Sequence, residues 1–580
     1  MALAFSSVHR LTHFEMKRMQ CFTKFICPFR NLVKRTEILA LTSGCSKSRS
    51  YSSVQEDNKI SDLLDYMERL KNYEKLSVPR GAGTDSEDGF DLGRMRRFLE
   101  QLGNPHYHFQ AVHIAGTKGK GSTAAFLSNI LRQGGYSVGC YTSPHLLTVR
   151  ECISFGKKGG HISADALINL FHQTKEIIDQ SIELENGSLT YFEVFTGLAF
   201  LAFFQEKVDI AVIEAGLGGA RDATNVLRNT ELAASVITSI GEEHLAALGG
   251  SLESIAVAKS GIIKHGCPVV IGGPFESHVE HIIRDKAHSM NSPVVSACDP
   301  GIKSAIKCFS REDGDPYQTS DIRIQGRENL EMFVDLPDVK LRMLGNHQLQ
   351  NAVTATCTAL CLRNQGFKIS DKSIRAGLEQ TTLPGRNQFL TRMEAETLGV
   401  SEASILIDGA HTEASAEGLS DVIRMTCPDG MFAFVVAMAT DKDHLAFARK
   451  ILTGPRPEIV LLTEVSIAGG KSRATPASIL KDAWRRTAAD LCLDFMDFGV
   501  IDEENNLNKL ISCTPASRDN KIIILASCQN LSVCDSIKIA DQLLKFRDRD
   551  KSRLIVVTGS LHIVSSTLAA VSKVDEMIVS

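Results

Sequence analysis

The chain has 580 residues, 43% hydrophobic and 23% charged, with 64 Lys or Arg against 68 Asp or Glu, 15 Cys and one Trp. That length exceeds one ordinary core, so at least two globular domains are expected. No apolar run approaches the roughly 18 residues that span a bilayer, and the slight acidic balance argues against a general nucleic-acid binder, which sets membrane insertion and nucleic-acid partners aside.

Residues 1–54 differ in composition, with nine Lys or Arg, only two acids (Glu15 and Glu37), frequent Ser and Thr, and scattered Phe and Leu. The pattern predicts a mitochondrial transit peptide and a matrix location, with Arg49-Ser50-Tyr51-Ser52-Ser53 resembling an arginine-containing cleavage site. A plastid address and a plain basic tail are the alternatives. Setting aside those nine basic and two acidic residues turns the formal net charge from −4 to −11. Three cysteines lie in this leader and the others form no CxxC pair. Reduced thiols are expected rather than a zinc or redox site.

Helical spacing runs from Ser61 to Glu74, followed by a Pro/Gly/Asp-rich loop, 78–89, and a second helix over 91–102. Alternation then sets in: strand 111–116, helix 121–133, strand 137–143, helices near 163–182 and 189–205, strands 208–216 and 233–240, helix 252–258, and short strands at PVVIGG and PVVSA. Strands interleaved with helices predict a mostly parallel sheet covered on both faces. The polar stretch 309–330 reads as an irregular insertion, and helices resume at 346–363 and 370–378. A second series begins after Leu398, with strands 403–409, 432–439, 458–465, 521–527 and 553–560 and helices from Glu413, His444 and Pro476. It predicts a second doubly wound domain, with the boundary between Leu383 and Ser401.

The stretch AVHIAGTKGKGSTAAF (111–126) follows a buried strand and opens a helix. Glycines let backbone amides turn inward, a helix N-terminus favours an anion, and a lysine reaches terminal phosphates. A nucleotide triphosphate is the expected ligand. The simple GxxxxGK[ST] expression fails, since position 114 is Ile114, and a tight turn without ligand is the plain alternative.

Thr142-Ser143-Pro144-His145, Glu214 and Glu243-His244 each follow a predicted strand. In an open parallel sheet such strand ends share an edge with the glycine loop, where oxygen and imidazole ligands converge on magnesium beside phosphates. Singly, Ser143 reads as a turn cap, Glu214 as a solvated carboxylate and His244 as a hydrogen-bonded ring. Their shared edge favours the site.

AGTKGKGST, YTSPHLLTVRE, LTYFE, DIAVIEAGLGGARDATNV, EEHLAALGGSLESIAVAKSGIIK, GNHQLQNA, LPGRNQ, LIDGAH and DKDH occur in the order found in the folylpolyglutamate synthase and dihydrofolate synthase family. The chain resembles that family, which is Mur-ligase-like, over roughly residues 60–570, and most strongly between 110 and 265. The segment NYEKLSVPRGAGTDSEDGFDLGRM further resembles plant mitochondrial members. The resemblance implies an α/β fold with a P-loop-containing Mur-ligase-like domain, residues 55–390, carrying a mostly parallel sheet. A C-terminal Rossmann-like α/β domain, residues 391–580, would follow.

By position, the resemblance implies that Gly119, Lys120, Gly121 and Ser122 bind ATP phosphates and that Ser143, Glu214 and His244 hold magnesium. Lys259 matches a lysine that becomes carbamylated, which would give it a carboxylate for a second magnesium ion; an ordinary surface lysine is the alternative. Asn351, Arg386 and Asp408 match nucleotide-binding positions, and Lys120, His244, Lys259 and His411 catalytic ones. The pteridine-bearing substrate would lie near Asp91, Leu92, Tyr191, Phe192, Glu193 and Asp222, where carboxylates accept pterin N–H groups and aromatics cover its faces.

Three departures stand out: Asp-Gly-Ala-His-Asn-Pro becomes Asp408-Gly409-Ala410-His411-Thr412-Glu413, the acid before His244 is Glu243 instead of Asp, and GGRLDATN becomes GGARDATN. Asn-Pro is also a helix-start device, and Thr412 still caps the helix before Glu413. The expected reaction is ATP-dependent amide formation between dihydropteroate and L-glutamate through an acyl phosphate, by a monomer. The rivals are extension of a folate glutamate tail, dual activity, a nucleotide-binding protein that has lost ligation, and a simple kinase. A nicotinamide dehydrogenase fits poorly, because the loop carries a lysine instead of GxGxxG.

Overall fold

The computed structural model describes residues 57–579 except 85–89, 313, 327–331, 467–472, 502–521 and 548–550. The expected leader, 1–54, lies outside the described residues. No described helix is long and apolar enough to cross a membrane. All eleven described cysteines are free thiols, as their spacing predicts.

Eight strands form the first sheet: β1 (Gln110–Ala115), β2 (Val138–Tyr141), β3 (Ile153–Phe155), β4 (Gly160–His161), β5 (Ile210–Glu214), β6 (Leu232–Ile237), β7 (Val269–Ile271) and β8 (Val294–Ser296). Their order is β4-β3-β2-β5-β1-β6-β7-β8, antiparallel only at the β2-β3 and β3-β4 pairs. The parallel strands read as unbroken apolar runs because both faces are covered. Along β5, Ile210 and Val212 pack with Phe126 and Leu127 of the helix Lys120–Gln133, whereas Ala211 and Ile213 face Leu198 and Phe200 of the helix Tyr191–Gln205.

The polar stretch expected as an irregular insertion is instead part of an antiparallel meander of β9 (Ile302–Glu312), β10 (Asp315–Gln325) and β11 (Phe333–Leu341). Burial alternates along β10, and Ile322 and Ile324 join the core that also holds Leu349 and Ala352 of the helix Asn346–Asn364. A half-buried strand spends every second position on polar residues, which disguised these strands as loop.

The third sheet holds β12 (Gln388–Phe389), β13 (Ser404–Ile407), β14 (Met431–Val436), β15 (Ile459–Leu462), β16 (Phe495–Ile501), β17 (Ile523–Cys528) and β18 (Arg553–Thr558). Its order is β12-β13-β18-β14-β15-β17-β16, with only β12 antiparallel. Two helical layers cover it, so the second doubly wound unit forms as expected. The chain crosses from one covered sheet to the other between the helix Asp371–Gln380 and β12.

The two units touch near the exit of β2. Leu146 and Leu147 pack against the core of the second unit, and Ser565 Oγ of the final helix, Leu561–Val579, donates to the Leu146 carbonyl at 2.7 Å. In the first sheet β1 lies between β5 and β6, so the C-terminal ends of the central strands open onto one crevice.

Candidate active site

The glycine loop begins where β1 ends and is clamped to the exit of β6. Thr117 N–H donates to the Ser239 carbonyl at 2.7 Å, Lys118 N–H to Ser239 Oγ at 2.8 Å, and Thr238 Oγ1 to the Lys118 carbonyl at 2.6 Å. Gly119 takes φ +84, and a Cβ there would stand 2.3 Å from Asn351 Oδ1. Only glycine therefore suits both the backbone and the close approach of Asn351. The first amide to bond back is Thr123 N–H to the Gly119 carbonyl at 2.9 Å, which leaves the amides of Lys120, Gly121 and Ser122 ahead of any intrahelical acceptor. Three amides without intrahelical acceptors beside a lysine at a helix N-terminus can hold a phosphate.

Lys120 Nζ stands 3.7 Å from Glu214 Oε1 at the end of β5, and Ser143 N–H donates to Glu214 Oε2 at 3.2 Å. Burial raises the Glu214 pKa, while Lys120 opposes the rise. His244 follows β6 in a left-handed turn, φ +56, and burial lowers its pKa against the pull of Glu243. Lys259 is 5% exposed, and its Nζ donates to the Gly116 carbonyl at 2.8 Å. Burial first and the charge of Lys120 second push its pKa down to about 7. The ordinary surface lysine that sequence alone favours is thus corrected: Lys259 supports the glycine loop from below.

Glu214, Ser143 and a neutral His244 make a donor set of carboxylate, hydroxyl and imidazole, which fits magnesium if phosphate and water fill its other positions. Among the described residues no three His, Cys, Asp or Glu side chains converge as a metal site.

The second unit supplies the opposite wall. Asp408, at the end of β13, accepts Asn387 N–H at 2.8 Å and Ala410 N–H at 2.9 Å, so it shapes its own turn. Arg386 lies by Gly409, and its positive charge acts on both Glu214 and Lys118, which places it across the crevice. His411 Nδ1 donates to the Gly409 carbonyl at 2.8 Å, leaving Nε2 turned to Lys118 Nζ at 3.4 Å and Glu243 Oε1 at 3.5 Å. Lys118 itself reaches Glu243 at 2.9 Å. Burial opposes ionisation of Glu243, but His411 and Lys118 outweigh it and hold the carboxyl far below its usual range. Thr412 caps the helix Glu413–Thr426, accepting Ser415 N–H at 3.3 Å, as expected for the altered motif.

The expected substrate residues occupy one region with unequal freedom. Phe192 lies over Gly216, where a Cβ would stand 2.6 Å from its ring, and stacks at 6.1 Å on Tyr141; Tyr191 stacks on Phe195. Leu92 packs on the same core, while Asp91 caps the helix Leu92–Gln101 and accepts Gly93 N–H at 2.7 Å. Glu193 is already engaged, holding Arg94 at 2.9 Å and its own helix start at Thr190. Asp222 is 2% exposed and takes Leu217 N–H at 2.7 Å and Thr224 N–H at 3.0 Å. These two carboxylates have protein donors in place and set loop and helix geometry. Sequence reasoning missed Lys118 as a partner of Glu243 and His411; its place two residues before Lys120 was the available signal.

Comparison with known proteins identifies the family. Residues 114–359 match the Mur ligase middle domain, so the glycine loop and the sheet around it are those of a Mur-type ligase. Over 364 residues the chain is 32% identical to a dihydrofolate synthase/folylpolyglutamate synthase of Bacillus subtilis, covering 62% of this chain and 78% of that protein. It is 31% identical over 382 residues to a dihydrofolate synthetase of Saccharomyces cerevisiae, covering 65% and 82%. The crystal structure of a folylpolyglutamate synthase of Thermotoga maritima superposes with a TM-score of 0.63 at 27% identity, covering 88% of this chain and 96% of that one. The chain belongs to the dihydrofolate synthase and folylpolyglutamate synthase family.

Proposed function

We propose that this protein joins L-glutamate to 7,8-dihydropteroate in an ATP-dependent reaction, giving dihydrofolate. The observation that carries the reading is the convergence of Lys120 and the buried Glu214 on one side of a crevice with Arg386, Asp408 and His411 on the other. A carboxylate is a poor electrophile and oxide a poor leaving group, so an amine alone reacts too slowly with it. In the proposed first step the substrate carboxylate attacks the γ-phosphorus of ATP, the bond to ADP breaks, and an acyl phosphate forms. The glutamate amine then attacks the acyl carbon, gives up a proton, and phosphate leaves.

In this scheme the amides of residues 120–122 and the Lys120 ammonium draw charge from the phosphoryl oxygens, and Arg386 neutralises charge from across the crevice. Asn351 lies against Gly119, and with Asp408 it would position the nucleotide. Ser143, Glu214 and His244 would hold magnesium, which when bound supplies positive charge beside the phosphates. Carbamylation of Lys259 would add a carboxylate for a second ion; unmodified, Lys259 fixes the Gly116 carbonyl. Tyr191, Phe192, Leu92 and Asp91 would line the pterin region, with Glu193 and Asp222 holding its walls. Enclosure between two units protects the acyl phosphate from water.

Extension of a folate glutamate tail is the second reading, because it uses the same activation. The LTYFE segment, which resembles that of bacterial enzymes acting on dihydropteroate, supports the first glutamate addition. Chain lacking residues 1–54, given ATP, magnesium and labelled glutamate with dihydropteroate or tetrahydrofolate separately, tests the choice by product mass. Product from dihydropteroate alone is expected; product from tetrahydrofolate alone moves the assignment to tail extension. The leader reading is tested by import into isolated mitochondria and sequencing of the mature N-terminus.

A further inference from the structure

The first sheet has a second edge. Strands β1, β6 and β7 run parallel toward the nucleotide crevice, so the segments that enter them gather about 20 Å away at the opposite edge, the length of a six-residue strand. There they line an open surface depression of about 420 Å³ whose wall includes Arg96, Tyr107, Arg228, Asn229, Lys264 and His265, and no Asp or Glu. Arg96 comes from the helix Leu92–Gln101, and Lys264 and His265 from the turn between the helix Leu252–Ser260 and β7.

The charges of this wall are not balanced. Arg228 is paired with Glu231 at 2.6 Å and lies over the Tyr107 ring, its Cζ 3.6 Å from the ring centre. Arg96 and Lys264 have no carboxylate partner among the described residues. Burial first, then repulsion from Arg96 and Lys286, push the Lys264 pKa down to about 8. Lys264 is half-buried while Arg96 is exposed, and two cations drawn together without a carboxylate between them repel until an anion joins them.

Guanidinium and ammonium groups are both good donors to oxyanions. A nucleic acid would need a basic stripe, whereas this depression is a local feature of a chain with formal charge −4. We propose that this depression binds a small oxyanion carrying two or more negative charges, a phosphate ester or an oligocarboxylate, on the edge of the sheet opposite the nucleotide loop. The site is separate from the ligation crevice and fills independently of it.

Calorimetric titration of the full chain with sodium pyrophosphate and, separately, sodium citrate tests this, with ionic strength held constant by sodium chloride. Because the glycine loop also attracts pyrophosphate, the titration is made on Lys120→Ala, or on wild-type chain saturated with ADP if that variant melts early. One binding event is expected to remain, and Arg96→Gln with Lys264→Gln weakens it by roughly tenfold or more. Arg96→Gln alone, at an exposed helix position, weakens it severalfold without shifting the melting temperature. Binding of pyrophosphate only identifies a phosphate ligand; binding of citrate only identifies a carboxylate. No binding of either anion, or unchanged affinity in the double variant, overturns the proposal.

Discussion

Lys118 on the glycine loop and His411 on the second unit stand 3.4 Å apart, Nζ to Nε2, and share Glu243 between them. The glycine loop is thus joined directly to the second unit. Removing Lys118 breaks the joint without touching the amides of Lys120, Gly121 and Ser122. Lys118→Met is expected to retain ATP binding while lowering kcat by roughly tenfold through poorer closure. Nucleotide titration beside steady-state rates checks this, and equal losses in both would contradict it.

Lys120 differs from Lys118 in facing the buried Glu214. Lys120→Ala is expected to fold with a near-native melting temperature and to lose about a thousandfold in ligation rate, the scale seen when a preorganised charge is removed from a transition state. Near-normal turnover would sink the phosphate assignment.

The Thr412 cap carries a separate expectation. Thr412→Ala leaves the start of the helix Glu413–Thr426 without its hydroxyl acceptor and should cost about 1 kcal/mol by urea unfolding, while Thr412→Asn restores most of it. The double change Thr412→Asn, Glu413→Pro should retain ligase activity, since both pairs start a helix in the same place.

His106 gives a pH prediction. Both its ring nitrogens lack partners among the described residues, its ring lies tilted against Tyr107 and stacked on Phe200, and burial lowers its pKa from 6.5 to about 4. Between those values the unfolded chain binds a proton that the folded chain refuses, so stability falls as pH drops from about 6.5 to 4. The loss is of order 3 kcal/mol by linkage. His106→Phe should flatten that part of a stability-versus-pH curve measured by urea unfolding; an unchanged slope would contradict it.

Much of this architecture was legible in advance because parallel strands covered on both faces must be apolar along their whole length. IAVIE in β5 and FVV in β14 declare themselves for that reason. The meander of β9 to β11 did not, since polar residues at alternate positions look like loop when the covering helix comes later in the chain. The edge strand β16, half exposed, and the helices Val533–Arg547 and Leu561–Val579 escaped notice as well. In the site, the glycine loop and the residues at strand ends could be placed because topology forces them to one edge. The engagement of Glu193 with Arg94 could not, because nothing along the chain pairs residues 99 positions apart. Nor does sequence reveal that Lys259 is buried, as its neighbours decide that from other elements.

The contact between Leu146 and Ser565 has a meaning for how the protein is made. The loop that carries Ser143 ends in two leucines whose partners lie in the second unit's core, and the hydroxyl that fixes it is 419 residues further on. At ordinary elongation rates that interval lasts roughly half a minute. During it the remaining strands of the first sheet and the whole second unit are synthesised, and until that unit folds Leu146 and Leu147 lack the apolar partners that cover them in the folded protein. The segment bearing Ser143 gains this support only after the helix Leu561–Val579 has been made, so the crevice is completed late in synthesis.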